Sequence, residues 1–131
     1  MLIQPNQDIA LLILRIALGI IFIRHGWPKV KNPLWGTHIG VPKIASIYSM
    51  IAEFFGGLAI LLGLYTQTAA ILILFGMLGA LYYHIFVWKH KFYNLQGQSW
   101  EYPFFLALVA IAVIFLGGGA YSLDAYLGFY P

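Results

Sequence analysis

Side chains that can carry charge or exchange protons interrupt or border the apolar stretches of this sequence, among them Arg15, His25, Glu53, His84 and Glu101. Imidazole and carboxylate groups serve as general acids and bases, and histidine is also a common haem ligand. A charged side chain near the centre of a bilayer costs about 2.5 kcal/mol or more when lipid alone surrounds it. These residues therefore need partners from elsewhere in the chain, and they are candidates for a functional site.

The composition identifies the environment in which these side chains lie. Of 131 residues, 62% are hydrophobic and 8% are charged, and the mean hydropathy of +0.85 is far from that of soluble proteins. The net charge of +3 rests on only seven Lys and Arg residues against four acids, so it does not indicate a nucleic-acid-binding surface. We therefore expect an integral membrane protein that binds no nucleic acid.

Cysteine is absent from the sequence. This excludes disulfides, thiol redox chemistry, thiolate metal sites and covalent haem attachment. We assign no residue as a metal ligand. A redox function would depend on a bound cofactor or on a partner protein.

The apolar stretches predict an all-α fold, an integral membrane four-helix bundle with up-down-up-down topology, as a single domain over residues 1–131. Pro28 predicts the end of the first helix or a kink in it. The predicted transmembrane helices cover residues 8–27, 44–64, 69–88 and 102–116.

Positive charges predict the orientation of the bundle. Five lysines lie in or beside the two longer loops, on one side of the predicted membrane: Lys29, Lys31, Lys43, Lys89 and Lys91. By the positive-inside rule these loops face the cytoplasm and both termini face outward. We interpret Lys29 as an anchor at the membrane interface, and we expect the aromatic tail after Gly119 to lie along the lipid headgroups.

Helix geometry predicts which of the ionisable residues meet. With a rise of 1.5 Å per residue, His25 and His84 lie at similar depths, each about 10 Å toward the lysine side. Glu53 falls near the midplane, with Arg15 slightly beyond it. We therefore expect an Arg15–Glu53 contact, either as a structural ion pair or as part of a site. For His25 and His84, hydrogen bonds to neighbouring helices are the alternative to binding a b-type haem or a metal.

Several short motifs follow one another along nearly the whole chain. They are Leu14-Arg15 with Gly19, His25-Gly26-Trp27-Pro28-Lys29, Ile39-Gly40-Val41-Pro42, Glu53 with Gly56-Gly57, Gly63-Leu64-Tyr65-Thr66 with Ala69-Ala70, and the glycines 117–119 followed by Tyr121-Ser122-Leu123-Asp124. Their order resembles the DoxX family of small four-helix bacterial and archaeal membrane proteins. Gln67 and Ala120 depart from the resemblance, since basic residues are common there and would add positive charge to the side assigned outward.

The resemblance implies a role beside an oxidoreductase, because the name-giving members are linked to a thiosulfate:quinone oxidoreductase. Without cysteine this chain cannot carry a persulfide, so a partner would supply any thiol. His25, Glu53 and His84 are then the candidate catalytic residues, which would hydrogen-bond a quinone carbonyl and relay its protons. His25, His84 and Arg15 are the candidate cofactor-binding residues, with a quinone or a b-type haem as the cofactor.

Two other functions fit the same sequence. The chain could be a non-catalytic accessory or assembly subunit of a larger membrane complex. It could also be a small transporter, which would require oligomers because four short helices enclose only a narrow pore. The expected partners are the lipid bilayer and either other membrane subunits or further copies of the chain, in a bacterial or archaeal cytoplasmic membrane.

Overall fold

The computed structural model describes residues 3–129, so the two residues at each end of the predicted domain lie outside the described residues. Four long helices run up, down, up and down, which confirms the predicted all-α membrane bundle. A short helix, α5, follows the fourth. The helices are α1 (Gln7–Lys31), α2 (Lys43–Leu62), α3 (Thr66–Val87), α4 (Glu101–Leu116) and α5 (Leu123–Tyr126).

The first three helices are long and apolar enough to cross a bilayer, and α4 with 16 residues is shorter. Large and small apolar side chains from all four helices form the buried core. Its members are Leu18, Phe22, Ile60, Ala69, Ala70, Ile73, Met77, Leu106, Ala107, Ala110 and Val113. Two ends of the bundle can be distinguished. The loop end carries the end of α1, the start of α2, the end of α3 and the start of α4; the termini end carries the opposite ends of these helices and α5.

Helix α1 is longer than its sequence predicts. It begins after Asn6, whose Oδ1 accepts a hydrogen bond from the backbone N–H of Ile9 at 3.1 Å. It passes through Pro28 and ends at Lys31, beyond the predicted end at residue 27. A proline in the last turn removes only one backbone hydrogen bond close to the helix end, so the helix can continue past it. This extension places Lys29 on the helix and not in the loop.

Glycines bring α1 and α2 close together beside the loop end. A Cβ added to Gly26 would lie 2.5 Å from the backbone nitrogen of Phe54, and one added to Gly57 would lie 2.8 Å from the nitrogen of Ile23. No side chain fits at such distances. Small residues of this kind let membrane helices approach backbone to backbone, and here they fix the distance between α1 and the part of α2 that carries Glu53.

Two of the helices contain a π-helical turn. One covers Ile51–Phe55 in α2 and the other covers Tyr83–Val87 in α3. A π-helical turn holds an additional residue, so it changes the direction in which the following side chains point, and such turns are frequent at functional sites. Glu53 lies in the first turn and His84 in the second.

The segment after α4 folds onto the termini end of the bundle. The Asp124 carboxylate accepts hydrogen bonds from the backbone N–H groups of Tyr65 (2.6 Å) and Thr66 (2.9 Å), which begin α3. An acidic group is favourable at a helix N-terminus because it pairs with N–H groups that have no partner within the helix. Ser122 and Asp124 are buried. These two residues therefore do not lie along the headgroups as predicted, because they close the end of the bundle.

Candidate functional site

A cleft of about 1060 Å³ lies among all four long helices at the loop end of the bundle. Three of the four predicted site residues line it: His25, Glu53 and His84. The other polar and tyrosine side chains of the lining are Lys29, Tyr48, Ser49, Tyr83, His90, Gln98, Ser99 and Tyr102. The remaining walls are apolar, aromatic or glycine, formed among others by Phe22, Trp35, Ile39, Val41, Ile44, Phe75, Gly76, Met77, Gly79, Trp88 and Leu106.

An ion pair between Lys29 and Glu53 forms the polar part of the cleft. The Lys29 Nζ atom lies 2.6 Å from Oε1 of Glu53 and donates a second hydrogen bond to the Ser49 hydroxyl at 2.8 Å. That hydroxyl in turn donates to the same Glu53 oxygen at 3.0 Å. The ammonium also lies 4.3 Å from the centre of the Trp35 ring, a cation–π distance. The cluster is neutral overall. Pairing of opposite charges lowers the free-energy cost of placing them in an apolar bundle.

The second carboxylate oxygen of Glu53 has no such partner. Glu53 is only 5% exposed, and its Oε2 atom is buried without a hydrogen bond from any described residue. A buried polar atom without a hydrogen bond lowers the free energy of unfolding by about 1–3 kcal/mol. Buried polar atoms without a hydrogen bond are therefore uncommon. Glu53, a lining residue of the cleft, therefore carries one strong acceptor that the described chain does not satisfy.

His25 lies at the edge of the cleft against α4. Its Nε2 atom is 3.4 Å from the hydroxyl oxygen of Tyr102, and the two rings have their centres 5.6 Å apart. The hydrogen bond at this distance is weak. Both groups keep capacity to bind another molecule, because one imidazole nitrogen and the phenol each have a free donor or acceptor position.

His84 lies on the α3 wall of the cleft within a cluster of rings. Its Nδ1 atom shares a hydrogen bond of 2.9 Å with Nδ1 of His90, and the Trp88 ring packs edge-on at 5.2 Å between ring centres. His90 belongs to the loop after α3 and also lines the cleft. This pair fixes the orientation of the His84 imidazole and leaves its Nε2 atom as the free nitrogen.

The expected contact between Arg15 and Glu53 does not form. The Arg15 guanidinium donates to four backbone carbonyls at the termini end: Nε to Ile60 (3.0 Å), Nη2 to Leu61 (3.0 Å), and Nη1 to Gly118 (3.0 Å) and Tyr121 (2.9 Å). It does not line the cleft. Two of these carbonyls belong to the last turn of α2, where carbonyl groups lack the regular partner four residues later in the helix.

The direction of helical side chains explains this error. Side chains on an α-helix lean toward the N-terminus of their own helix. Since α1 and α2 are antiparallel, Arg15 leans toward the termini end and Glu53 leans toward the loop end, so their charged groups move apart. Lys29 leans back from the loop end into the bundle and meets Glu53. The interpretation of Lys29 as an interfacial anchor is therefore wrong.

Lys29, Tyr102 and His90 are the site residues that the sequence predictions missed. The sequence contains a signal for Lys29, because it follows Arg15 by 14 residues and so lies only about 40° from it around a helix of 100° per residue. A helix extended through Pro28 would have placed Lys29 on the same buried face. The sequence holds no comparable signal for Tyr102 and His90, whose positions depend on how α4 and the second loop pack.

Comparison with known sequences gives one family and several relatives. A sequence model of the DoxX family matches residues 10–87. Inner membrane protein YqjF of Escherichia coli strain K12 is 32% identical, with 92% of this chain and 94% of YqjF covered. Inner membrane protein YphA of the same strain is 32% identical, with 90% of each chain covered. A Bacillus subtilis strain 168 protein named "Putative oxidoreductase CatD" is 29% identical, with 95% of this chain and 91% of CatD covered.

No solved structure matches the chain at a significant level. The two relatives from Escherichia coli are inner-membrane proteins by name, and the four helices of this chain agree with that location. The chain is therefore a multi-pass protein of a bacterial inner membrane.

Proposed function

Since the chain belongs to the DoxX family of membrane proteins, we propose that it is the membrane subunit of a quinone-linked oxidoreductase complex and binds the quinone in the cleft at its loop end. The relative CatD carries an oxidoreductase name, which supports this class of function. The chain itself has no cysteine and so no thiol redox centre. The electrons would therefore come from a partner protein of the complex.

One observation carries the proposal: Glu53, a residue that lines a largely apolar cleft, has a buried carboxylate oxygen that accepts no hydrogen bond from the described residues. The hydroxyl group of a quinol is a donor of the kind that Oε2 of Glu53 lacks. Ligand sites typically combine apolar walls with a few polar groups that fix orientation, in volumes of about 300–1,000 Å³. The cleft matches this description and is large enough for a substituted quinone ring with part of a side chain.

The neutral charge of the cluster also suits a quinone. Lys29 is already paired with Glu53, so an anionic ligand would have to break that ion pair, whereas an uncharged ring would not. When bound, the quinone would supply the redox chemistry by taking up two electrons and two protons. Lys29 and Tyr102 would donate hydrogen bonds to a ring carbonyl, Glu53 would accept a proton or a hydrogen bond, and His25 and His84 would orient the ring from opposite walls.

A b-type haem fits the cleft less well. Two histidines that bind one haem must each turn a nitrogen toward the iron from opposite faces of a flat macrocycle. Here Nε2 of His25 faces Tyr102, and His84 is held by His90 and Trp88. The His25 imidazole would have to leave Tyr102 before it could bind an iron, so only His84 presents a nitrogen ready for ligation, and we favour the quinone.

Tryptophan fluorescence tests the proposal, because Trp35 and Trp88 line the cleft and quinones quench indole fluorescence. The purified protein is titrated with a short-chain quinone analogue. We expect saturable quenching that Trp35→Phe and Trp88→Phe each reduce. Glu53→Gln should weaken binding of the quinol form of the analogue, measured by its competition with the quenching quinone, by about tenfold or more, since a quinol hydroxyl can donate to the carboxylate and hydrogen bonds to charged groups contribute about 1.5–3 kcal/mol.

Arg24→Gln is the matched control, because Arg24 is exposed on α1 and does not line the cleft. It should leave the quenching curve unchanged. Gel filtration shows whether each variant remains folded. If folded Glu53→Gln and wild-type protein bind the quinol form of the analogue equally, or the two cleft tryptophans contribute nothing to quenching, the proposal is wrong and the accessory-subunit alternative gains support.

A further inference from the structure

The cleft reaches the outer surface of the bundle between α2 and α3. Ile44 and Phe75 line the cleft and are also 83% and 61% exposed. Large apolar side chains that both line a cleft and face outward mark the edge of an opening. The polar cluster of Lys29 and Glu53 lies at the inner part of the same space.

Two glycines on α3 keep this opening free of side chains. Gly79 lines the cleft, and a Cβ added there would meet no atom within 4 Å. Gly76, one turn earlier, accommodates the ring of Tyr48, which a Cβ would approach to 3.8 Å. The Tyr48 hydroxyl donates to the carbonyl of Leu72 at 2.6 Å and ties α2 to α3 beside the opening. The two helices are therefore connected next to Gly76 and separated next to Gly79.

The depth of the opening determines what reaches it. Phe75 lies near the middle of α3, which has 22 residues and so a length of about 33 Å, close to the thickness of the hydrocarbon core. At this depth the surroundings of the bundle are acyl chains and not water. A ligand that passes between α2 and α3 therefore comes from the lipid phase.

We infer that the cleft takes a quinone with a long isoprenoid chain, which enters from the bilayer between α2 and α3 and leaves its chain lying over Gly79. The inference rests on the proposed function and adds the route and the chain-binding surface. The buried Oε2 atom of Glu53, which has no hydrogen-bond donor among the described residues, is an independent observation that favours a ligand in the inner part of the cleft. The exposed edge residues and the empty space at Gly79 then give the direction of its chain.

Gly79→Phe tests this inference, because a Cβ at this position meets no described atom and the ring would extend from it into the opening. The matched control is Leu78→Phe, since Leu78 is the adjacent exposed residue and does not line the cleft. Both variants and the wild type are titrated with two quinones that share one ring, one with a long chain and one with none, and quenching of tryptophan fluorescence is measured.

We expect Gly79→Phe to weaken binding of the long-chain quinone by about tenfold or more, because the new ring would occupy the surface on which the chain lies and overpacking of this size costs a factor of about ten or more. Binding of the chainless quinone should change by less than about twofold, and Leu78→Phe should change neither. Equal effects of Gly79→Phe on both quinones, or no effect on either, would overturn the inference while leaving the proposed function intact. Absence of quenching by both quinones in the wild type would instead contradict the proposed function.

A second readout separates a quinone from a phospholipid in the same groove. Lipids are extracted from wild-type and Gly79→Phe protein purified from native membranes, and quinone and phospholipid are quantified for each mole of protein. The inference predicts that bound quinone falls and bound phospholipid does not. Loss of phospholipid with unchanged quinone would show that the groove holds an acyl chain, which contradicts the inference.

Discussion

Lys29 and Glu53 form their ion pair at 2.6 Å in a place where water solvates neither charge well. Glu53 is buried and the Lys29 side chain is 17% exposed. A buried pair of this kind contributes little net stability, because desolvation offsets the attraction between the charges. Removal of one partner strongly lowers the free energy of unfolding, since it leaves the other charge buried without an opposite charge beside it. This asymmetry gives a stability test of the pair that does not depend on any ligand.

We expect Lys29→Met to lower the free energy of unfolding by about 3 kcal/mol, within the range for breaking a buried pair. The double variant Lys29→Met with Glu53→Gln should recover most of that loss, because no unpaired charge remains. Reversible unfolding in mixed detergent micelles, followed by tryptophan fluorescence, measures both values. Lys31→Met is the control, since Lys31 is exposed and its nearest described interaction is a cation–π contact with Trp27 at 5.1 Å. Additive effects of the two substitutions would show that Lys29 and Glu53 do not interact.

At this scale the sequence identified the residues that need partners but not the partners themselves. The sequence indicates that lipid alone cannot accommodate the charges of Arg15 and Glu53, and both residues are buried within the bundle. The predicted contact between these two residues does not form. Estimates of depth treat each residue as a point on its helix axis, whereas an arginine side chain reaches several ångströms toward the N-terminus of its helix. Four backbone carbonyls satisfy Arg15 instead, and a sequence pattern gives no sign of partners of this kind.

At the scale of elements, the two π-helical turns distinguish α2 and α3 from regular membrane helices. They carry Glu53 and His84, and both residues line the cleft. The sequence does not predict them, because an additional residue in one turn leaves the apolar character of the segment unchanged. The sequence likewise contains both Gly26 and Gly79, but only the packing shows that Gly26 lies against a backbone and Gly79 beside empty space.

The two glycines give a matched pair of substitutions. Gly26→Ala should destabilise the protein by about 1–3 kcal/mol, because its Cβ would lie 2.5 Å from the Phe54 nitrogen and must push α1 away from α2. Gly79→Ala should be neutral or stabilising by up to about 1 kcal/mol, since alanine is the better helix former and meets no atom. The same unfolding measurement compares them. Equal stability of the two variants would contradict the close helix contact at Gly26.

For the whole molecule, composition and hydrophobic stretches were sufficient to predict the four-helix bundle. The helices follow from apolar runs separated by polar, proline-containing or glycine-containing segments, and short connections impose antiparallel packing. The sequence did not reveal how the chain after α4 folds back. Asp124 and Arg15 hold that segment through contacts with residues far away in the sequence, and such contacts leave no local pattern.

The orientation in the membrane stays a prediction, and the absence of native cysteine makes it simple to measure. Thr68→Cys and Lys91→Cys place single thiols at exposed positions on opposite ends of the bundle. If the lysine-rich loops face the cytoplasm, a membrane-impermeant maleimide added to spheroplasts should label Thr68→Cys and not Lys91→Cys. Detergent lysis should make both thiols reactive, which serves as the control. The reverse labelling pattern would invert the topology.

The four acceptors of Arg15 also bear on the order of events during biosynthesis. Two of them follow Arg15 by 45 and 46 residues, and the other two follow it by 103 and 106. A ribosome that has just completed α2 has therefore made only half of the groups that surround the guanidinium in the finished protein. Arg15 acquires its full set of acceptors only when translation has passed Tyr121, so a nascent chain released before that residue would leave a cation of α1 incompletely bound.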